Sequence, residues 1–534
     1  MRRINDRSRL YTKNKERKTF MKKNRILTLT ALLCLLAMLI GTMASCSKKE
    51  PENPTPGTSD KTEGNTGTGE KDDPADIDYT KYITKKTYDD TTINCLVQIN
   101  ELSEFDVGEE IPTDSVDLAF YNRNRLVEDE HEVQLIFSTG STQEDYAGKL
   151  NIASMGGDSY DIVETWHWYV NGWTYFVDLQ QYTDVLHFEN PYWATGVNDN
   201  TLIKGKQYIA FGFGSSSVYS SAMAVYYNEH LRLNYGLDEF EPLVESGDWT
   251  IENMLTMMEK ATSITDTTKN SFENKYGLGY NLWSGRAFLW GCGLQLSTYT
   301  DGELEITLAN ETNFNIFTKV KQFLTGNNYS YYGGGGGNDN GGGSGEGVLF
   351  NSDKNDIHAF MEYKTLFEST NLGRAQTISQ SMPNFGILPM PKLNKNQQDY
   401  ITPVGGVSPF GIMKSSPDAH RAAVILETFT IYSYTTVRPE YYENALKLRY
   451  QTDAKAAQMV DFIVDHLSID FLFINTASFD GIADRPFDLI EPFGNLQGEG
   501  YYSYMGKLQN RMEGYLEKFY KVYEDAEKDT GDAT

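Results

Sequence analysis

The sequence contains few cysteines and histidines, and their spacing does not match the common metal sites. It has four cysteines and seven histidines in 534 residues, with no Cys-x-x-Cys pair and no two histidines at helical spacing. Zinc sites in proteins are usually built from such pairs. We therefore predict no metal site and no cofactor.

The same scarcity limits the disulfides that the chain can form. Cys34 lies in an N-terminal leader and Cys46 follows that leader directly, which leaves Cys95 and Cys292 in the body of the chain. A pair of cysteines in an exported protein can form a disulfide. Because these two are far apart in the sequence and have apolar neighbours, two buried free thiols are favoured, with a disulfide as the alternative.

Catalytic signatures and positive charge are also missing. The serine hydrolase motif G-x-S-x-G is absent, and Gly214-Ser215-Ser216 lacks the strand-turn-helix context of a nucleophile elbow. The net charge is −27, and removing the basic leader brings the processed chain to about −36. The electrostatic field of so negative a protein repels nucleic acid and anionic lipid headgroups, so we expect no nucleic-acid partner.

No apolar run is long enough to cross a bilayer. The run from Ile26 to Ile40 covers about 15 residues, whereas a membrane-spanning helix needs roughly 20. Lys22 and Lys23 precede the run, and mostly small residues connect it to Cys46. A basic region, an apolar region and a small-residue cleavage site form a secretory signal. The residues Met43-Ala44-Ser45-Cys46 also resemble a bacterial lipobox, in which the cysteine is acylated.

We therefore predict a signal peptide over residues 1–45 and lipidation of Cys46, with a transmembrane helix as the alternative. Met21 would also serve as an ordinary signal-peptide start, in which case residues 1–20 are a wrongly assigned beginning. Residues 46–78 are rich in proline, glycine and charge and cannot bury enough apolar surface to fold. They predict a flexible tether that is lipid-anchored to the cell membrane on its extracellular face.

The rest of the chain is long enough for more than one domain. Its roughly 450 residues exceed the size at which a single core stops growing. Strand and helix patterns alternate from its start, with strands predicted at Thr92–Ile99, Val133–Phe137 and Asp161–Val163, and helices at Asp114–Val127 and Glu144–Ala153. This β-α-β-α-β order predicts a parallel sheet covered by helices, the α/β class.

Later segments continue the alternation. Further strands are predicted at Ile203–Phe211, Met223–Tyr227, Ala359–Tyr363 and Phe385–Leu388. Further helices are predicted after a capping Thr250 and at Asn313–Leu324, Ala422–Tyr432, Tyr441–Tyr450 and Ala456–His466. Residues 333–347 include ten glycines but match neither a phosphate loop nor a calcium-binding repeat, and they predict a surface loop.

One aromatic cluster stands out in the first of these regions. Trp166-His167-Trp168-Tyr169 follows closely on the strand predicted at Asp161–Val163. Ligands of α/β proteins bind at the carboxyl ends of parallel strands, and the flat faces of tryptophan suit the apolar faces of sugar rings. The alternative is that these tryptophans pack a helix onto the sheet.

Several segments together resemble the extracellular solute-binding proteins of family 1, the maltose-binding-protein-like lipoproteins of carbohydrate ABC importers. The similarity lies in Tyr160–Val163 with the aromatic residues after it, in Ala224–Leu237 running into Gly247–Thr250, in Asn384–Pro391 followed by Thr402–Gly406, and in Pro439–Lys447. The order and spacing of these segments carry the resemblance. Residues 333–347 and 475–505 have no counterpart in it.

The resemblance implies a two-lobed α/β fold of the periplasmic-binding-protein type II, with an interlobe cleft and a helical C-terminal part. Carried onto this chain, the first lobe would comprise residues 88–212 plus 405–435, and the second residues 222–404 plus 436–534. The implied function is that of a non-enzymatic monomer that binds a carbohydrate, expected to be an oligosaccharide, and delivers it to the permease subunits of an ABC importer.

By position, the resemblance also implies ligand-binding residues from both lobes. They are Trp166, His167, Trp168, Tyr219, Trp283, Arg286, Glu362 and Tyr363. Tryptophan faces would stack on sugar rings, and Arg, Glu and His side chains would hydrogen-bond the hydroxyls. The alternatives are a surface glycoside hydrolase, with Glu164 or Glu362 as a catalytic acid, and a glycan-adhesion lipoprotein.

Overall fold

A computed structural model describes residues 77–157, 159–170, 172–268, 270–300, 303–334, 354–441, 454–486 and 500–531. The predicted signal peptide, the lipidation site Cys46 and almost all of the predicted tether lie outside these ranges. So do residues 335–347 of the glycine-rich segment and all but the first residue of the helix predicted at Tyr441–Tyr450.

The strands form two main sheets and two small ones. In chain order the strands are β1 Thr91–Leu96, β2 Val133–Ser138, β3 Ile162–Glu164, β4 Met223–Asn228, β5 Tyr276–Tyr280, β6 Ser297–Thr300, β7 Glu303–Ile306, β8 Ser330–Tyr332, β9 Thr365–Asn371, β10 Phe385–Pro389, β11 Thr402–Pro403, β12 Phe410–Ile412 and β13 Leu467–Ser468. The strand orders are β12-β3-β1-β2 and β10-β4-β9-β5-β8, with the pairs β11-β13 and β6-β7 apart from them. We call the parts around the four-stranded and five-stranded sheets the first and second lobes.

Each main sheet has a parallel centre and an antiparallel addition. In the first lobe β1 pairs in parallel with β2 and β3, and β12 joins β3 antiparallel. In the second lobe β5 lies parallel between β8 and β9, while β4 is antiparallel to both β9 and β10. The carboxyl ends of β3 and β5 are therefore edges of the kind where α/β proteins bind ligands. The boundaries of the two lobes in sequence stay predictions.

The helices cover these sheets. They are α1 Leu102–Phe105, α2 Ser115–His131, α3 Gln143–Ser154, α4 Thr195–Asn198, α5 Ser217–Ser220, α6 Glu229–Asn234, α7 Glu241–Glu245, α8 Ile251–Ala261, α9 Leu282–Gly291, α10 Glu311–Thr325, α11 Asp356–Met361, α12 Ala375–Ser381, α13 Ala419–Tyr432, α14 Arg438–Tyr441, α15 Ala454–Asp465, α16 Phe471–Ile474 and α17 Tyr501–Gly531. Residues Ser433–Val437 form a π-helical turn between α13 and α14. In the described part of the chain, none of the helices combines the length and the apolar character that crossing a membrane requires.

Side-chain caps fix where the main helices begin. The Asp114 carboxylate accepts hydrogen bonds from the N–H groups of Val116 and Asp117 at the start of α2. Thr250 caps α8 as predicted, with its hydroxyl 3.3 Å from the N–H of Asn253. The start of α9 is a reciprocal capping box between Asn281 and Ser284. These caps satisfy N–H groups that have no partner within the helix.

Most of the predicted elements have their expected type, but two predictions are wrong. The strand predicted at Ile203–Phe211 is broken by a tight turn, because Lys204 and Gly205 both have positive φ and Ile203 bridges Lys206. Two residues of positive φ close a hairpin turn rather than continue a strand. Only Ala210 makes a bridge to the first sheet, through Phe410.

The strand predicted at Ala359–Tyr363 is also wrong, since that segment is helix α11 and the turn after it. The side chain of Asn355 accepts a hydrogen bond from the His358 N–H at 2.8 Å and so caps the helix. Tyr363 has a φ of 60°, which ends the turn before β9 begins at Thr365. The capping residue is a helix signal that outweighs the short apolar run.

The last part of the chain connects the two lobes. We call residues 467–479 the bridging segment: β13 pairs with β11, and Asn475 accepts a hydrogen bond from the Trp173 indole at 2.8 Å. Helix α17 packs Tyr501 against Phe314 and Phe317 of the second lobe near its start. Near its end, the Tyr523 hydroxyl accepts the Trp173 N–H at 2.7 Å in the first lobe. Both elements therefore restrain one lobe relative to the other.

The two remaining cysteines are free thiols in separate lobes. Cys95 is buried in β1 and Cys292 is buried directly after α9. Burial raises the pKa of both thiols far above the ordinary value. The structure thus agrees with two buried free thiols rather than a disulfide.

Candidate functional site

Aromatic side chains from both lobes and from the bridging segment meet in one group. We call it the aromatic cluster, and its members are Trp166, His167, Trp168, Trp283, Trp290 and Phe473. The first three follow the carboxyl end of β3, and Trp283 follows the carboxyl end of β5. The cluster therefore lies where the ligand-binding edges of both sheets come together.

Two of the cluster's tryptophans share one side of helix α9. Trp283 and Trp290 are seven residues apart, with Arg286 between them at the third position. This spacing places all three side chains along one helical face. The Arg286 guanidinium carbon lies 4.8 Å from the centre of the Trp283 ring, and Arg286 is only 6% exposed. A cation over the face of an indole holds that ring in place.

Trp168 is at the centre of the cluster. Its ring meets Trp283 edge to face with centroids 6.3 Å apart, and it meets Phe473 in the same way at 5.7 Å. Trp166 lies 6.4 Å from Trp168, and Trp290 lies 4.6 Å from Phe473. Trp166, Trp168 and Trp283 are all half-buried, so parts of their faces stay accessible. Edge-to-face contacts leave such faces available for other planar or apolar surfaces.

His167 is an uncharged group in this environment. Its ring is fully buried, and burial lowers the pKa of His167 to about 3. Nδ1 lies 3.3 Å from the carbonyl of Val407, which favours the tautomer whose Nδ1–H donates to that oxygen. In that tautomer Nε2 is an acceptor. Neither His167 Nε2 nor the Trp168 indole N–H has a hydrogen-bond partner within the described part of the chain.

Two segments cross between the lobes, which we call the first crossover (residues 212–221) and the return crossover (residues 401–408), and they are tied together beside this cluster. The Ser221 hydroxyl donates to the carbonyl of Gly406 at 2.5 Å, and the Ser408 N–H donates to the Ser217 hydroxyl at 3.1 Å. The Trp166 indole packs on Gly406, where an added Cβ would lie only 2.9 Å from its Nε1. The position of Trp166 is thus coupled to the return crossover.

Buried carboxyl groups lie under the first crossover. Glu104 accepts a hydrogen bond from the Ser216 N–H at 3.1 Å, and Glu164 accepts one from the Gln98 N–H at 2.9 Å. Burial raises the pKa of Glu164 to about 8 and that of Glu101 to about 9. Burial also raises the pKa of Glu104, and the nearby Arg123 opposes this shift. Glu101 and Glu164 are therefore mainly protonated in the folded protein at neutral pH.

The other predicted site residues lie elsewhere. Tyr219, in α5, is 1% exposed and packs against Phe213 and Tyr441 next to the first crossover. Glu362 is exposed, and the half-buried Tyr363 meets His230 edge to face at 5.6 Å. The structure does not bring Glu362 to Glu164, which is fully buried in the first lobe.

The topology explains the positions of Glu362 and Tyr363. Helix α11 begins at Asp356, which accepts a hydrogen bond from Asn281 at the carboxyl end of β5 at 2.7 Å. The helix then runs back to the amino end of β9, which is parallel to β5. Glu362 and Tyr363 are therefore at the opposite edge of the sheet from Trp283, roughly 15 Å away along the strands.

Trp290 and Phe473 are cluster members that the sequence reasoning missed. Trp290 carries a recognisable signal, since its spacing from Trp283 and Arg286 places it on the same helical face. Phe473 has no such sequence signal, because its position depends on how the bridging segment returns to the cleft. Within the described residues, no group of three or more His, Cys, Asp or Glu side chains is arranged to hold a metal ion.

A solved structure shares this architecture. The galacto-N-biose-/lacto-N-biose I-binding protein of an ABC transporter from Bifidobacterium longum aligns with a TM-score of 0.53 and 10% identity, over 81% of this chain and 98% of its own. An ABC substrate-binding protein from Listeria monocytogenes, solved with cycloalternan, aligns with a TM-score of 0.48 and 14% identity, over 80% and 99%. No protein family and no curated protein matches the chain by sequence. The chain has the two-lobed α/β fold of ABC-transporter sugar-binding proteins, which confirms the fold that the resemblance implied.

Proposed function

We propose that this protein is an extracellular lipoprotein that binds a carbohydrate between its lobes and delivers it to an ABC importer. The observation that carries the proposal is the aromatic cluster, in which Trp168 of the first lobe meets Trp283 of the second. Trp166 joins the cluster through Trp168, and Trp290 joins it through Phe473. The two-lobed fold supports it, since the Bifidobacterium longum protein of similar fold binds lacto-N-biose and is part of an ABC transporter.

The chemistry of the cluster suits a neutral, hydroxyl-rich ligand. Half-exposed indole faces at Trp166, Trp168 and Trp283 offer apolar surfaces for pyranose rings. The Trp168 indole N–H is a donor and the neutral His167 an acceptor, so hydroxyl groups have partners of both kinds. For either group to reach a ligand, the cleft has to open from the arrangement described above, because the His167 ring and the Trp168 indole nitrogen are both buried.

Delivery requires that the importer distinguish the loaded protein from the empty one. Trp168 and Trp283 touch across the cleft, so a ligand between them changes the separation of the lobes. We infer that the change is absorbed by bending at 212–221, 402–406 and 432–438. The last range includes the π-helical turn Ser433–Val437, an irregularity of a kind found frequently at functional sites. The permease subunits would then recognise the closed form.

A binding assay tests the function directly. The purified protein, from Ser47 on, is titrated with neutral glycans by calorimetry, and its melting temperature is measured with each one. A ligand that binds only the folded state raises the melting temperature. Trp283→Ala is expected to weaken binding by about 1–3 kcal/mol, the value of burying a large apolar side chain. Tyr502→Ala, at a half-exposed aromatic on α17, is the matched control and should bind normally.

Two results would support another function. Release of sugar from any glycan, abolished by Glu164→Gln, would establish the glycoside hydrolase alternative. Binding that survives a disulfide engineered to lock the lobes open would favour the adhesion alternative, because adhesion needs no closing cleft. Failure of every glycan to bind or to stabilise the wild-type protein contradicts carbohydrate binding itself.

A further inference from the structure

A cavity of about 400 Å³ lies beside the aromatic cluster, at the far end of helix α9. Trp290 forms part of its wall and also contacts Phe473 of the cluster, with ring centroids 4.6 Å apart. The remaining walls come from Asn200, from residues 294, 295 and 297–299 of the second lobe, from the return crossover at Ile401 and Val404, and from residues 468–471 of the bridging segment. The volume is within the range of small-molecule binding sites.

We propose that this cavity is a second binding pocket for an uncharged sugar unit, so that the ligand is at least a disaccharide that extends from the aromatic cluster past Trp290. The proposal rests on the carbohydrate-binding function proposed above, and it adds where the second unit binds. Trp290 is the shared wall, because it touches the cluster on one side and the cavity on the other.

The charge of the cavity selects a neutral ligand. Asp470 is the charged residue among those that line it. Its Oδ2 accepts from the N–H groups of Leu296 at 2.9 Å and Ser297 at 3.1 Å. Its Oδ1 accepts from the Ser297 hydroxyl at 3.1 Å and the Leu472 N–H at 2.8 Å. Since protein donors occupy both oxygens, Asp470 fixes the wall and does not serve a cationic ligand.

No lysine or arginine is among the described residues that line the cavity, so an anionic ligand has no partner there either. Burying an unpaired charge costs far more free energy than burying a hydroxyl that is hydrogen-bonded. A charged solute is therefore disfavoured on both counts.

The polar groups of the lining suit hydroxyls. Gln295, Thr298, Ser468 and Asn200 each supply a donor and an acceptor on a short or neutral side chain. Trp290 and Tyr299 supply aromatic surface, and the Tyr299 hydroxyl is already used, because it donates to the Leu202 carbonyl at 2.5 Å. A mixture of neutral hydrogen-bonding groups and aromatic surface matches the two faces of a sugar ring.

The pocket is also held in shape. The parallel pairing of β13 with β11 joins Ser468 to Pro403, and three of the four hydrogen bonds of Asp470 tie the same segment to Leu296 and Ser297. The bridging segment is thus a fixed wall. Preformed walls lower the entropic cost of binding.

Titration of the wild type and its variants with sugars of different length tests the inference. The probes are glucose and galactose as single units, maltose, lactose and lacto-N-biose as disaccharides, and maltotriose. The wild-type protein is expected to bind at least one of the longer sugars tenfold or more tightly than the single units. Thr298→Trp fills the cavity and should reduce affinity for that longer sugar at least tenfold, while affinity for single units changes less than twofold.

Two further variants keep the test decisive. Thr298→Ser preserves the hydroxyl and should behave as the wild type. Gln295→Ala, at an exposed side chain, removes polar contacts without adding bulk and should weaken the longer sugar several-fold even where Thr298→Trp fails to fold.

The outcomes separate the two proposals. Wild-type binding of glycans with no preference for length, or longer-sugar affinity unchanged in Gln295→Ala and in a folded Thr298→Trp, overturns the pocket alone. Absence of binding for all six sugars, together with binding of a charged solute such as glycerophosphocholine, overturns carbohydrate binding and the pocket together.

Discussion

Trp168 and Trp283 are in edge-to-face contact, with ring centroids 6.3 Å apart and planes at 88°, although they follow strands of different sheets. Trp168 is anchored by Phe473, and Trp283 lies under the Arg286 guanidinium. Each ring is thus held by its own surroundings before it meets the other. The contact reports directly on the separation of the two lobes.

The first prediction uses this contact as a measure of closure. In a double-mutant cycle with Trp168→Ala and Trp283→Ala, we expect a coupling of about 0.5–1.5 kcal/mol in the free energy of unfolding, the value of an aromatic pair beyond its burial. Chemical denaturation of the four proteins measures it. A control cycle pairing Trp168→Ala with Tyr502→Ala should show no coupling, since distant sites add. Equal coupling in both cycles would show that the rings do not touch in solution.

A second prediction concerns the glycines of the return crossover. An alanine Cβ at Gly406 would lie 2.9 Å from Nε1 of Trp166, whereas at Gly405 the nearest atom is the Ser221 carbonyl oxygen at 3.8 Å. Gly406→Ala should therefore displace the indole and weaken glycan binding, on the order of tenfold, with a shift in tryptophan fluorescence. Gly405→Ala should neither displace the indole nor weaken glycan binding, because a separation of 3.8 Å between its Cβ and the Ser221 carbonyl oxygen is an ordinary van der Waals contact. Identical glycan affinities for the two variants would show that the position of Trp166 does not affect ligand binding.

The α/β class could be predicted from the sequence because its signals are local, whereas the two-lobed arrangement was implied by the family resemblance. The alternation of strands and helices up to Glu164 and the cap at Thr250 both follow from residues a few positions apart. The prediction of a strand at Ile203–Phe211 was wrong for a local reason as well. Lys204-Gly205 is a two-residue turn that the apolar pattern concealed.

The site was less predictable, because it depends on contacts between distant segments. Trp166, Trp168 and Trp283 share the cleft because each follows the carboxyl end of a strand. Sequence spacing indicates this for Trp166 and Trp168, whereas the position of Trp283 was implied only by the family resemblance. Phe473 arrives only through the bridging segment, and Tyr219 is buried by Phe213 and Tyr441 from two other parts of the chain. No pattern near Tyr219 distinguishes a cleft aromatic from a core aromatic.

The third prediction tests the lipid anchor at Cys46. Cys46→Ala should release the protein into the medium or leave its leader uncleaved, because the acyl chains are attached to that sulfur. Stable anchoring needs two chains, so a diacylated cysteine is expected at the mature N-terminus. Fractionation of cells followed by mass spectrometry of the N-terminal peptide measures both effects. Ser45→Ala should leave anchoring intact, and an unmodified Cys46 in membrane-bound protein would contradict the prediction.

The fourth prediction concerns helix α17. The Tyr523 hydroxyl accepts the Trp173 N–H at 2.7 Å in a buried position, and Tyr523 also packs on Tyr208. Tyr523→Phe keeps the packing but leaves that N–H without its partner, which should lower the free energy of unfolding by about 1–3 kcal/mol. Tyr502→Phe, on the same helix and 48% exposed, should change it by less than about 0.5 kcal/mol. Denaturant titration of the two variants compares them, and equal stabilities would show that the end of α17 is not docked.

The fifth prediction is a pH dependence that comes from Glu164. Burial raises the pKa of Glu164 from its ordinary value of 4.5 to about 8, so the folded protein binds a proton there that the unfolded chain releases. Stability from this group is therefore complete below about pH 4.5 and is lost as the pH rises through about 8. Glu101 and Glu104, whose pKa values are also raised by burial, contribute in the same direction.

Glu164→Gln replaces the carboxyl by a neutral group that still accepts the hydrogen bond of the Gln98 N–H. Its stability should therefore fall less than that of the wild type between about pH 5 and about pH 9, by on the order of 1–3 kcal/mol. Glu362→Gln, at an exposed position in the other lobe, should follow the wild-type curve. Urea titrations across this range measure the free energy of unfolding of all three proteins. Parallel curves for Glu164→Gln and the wild type would mean that Glu164 is ionised in the folded state, with water reaching the carboxyl group beneath the first crossover.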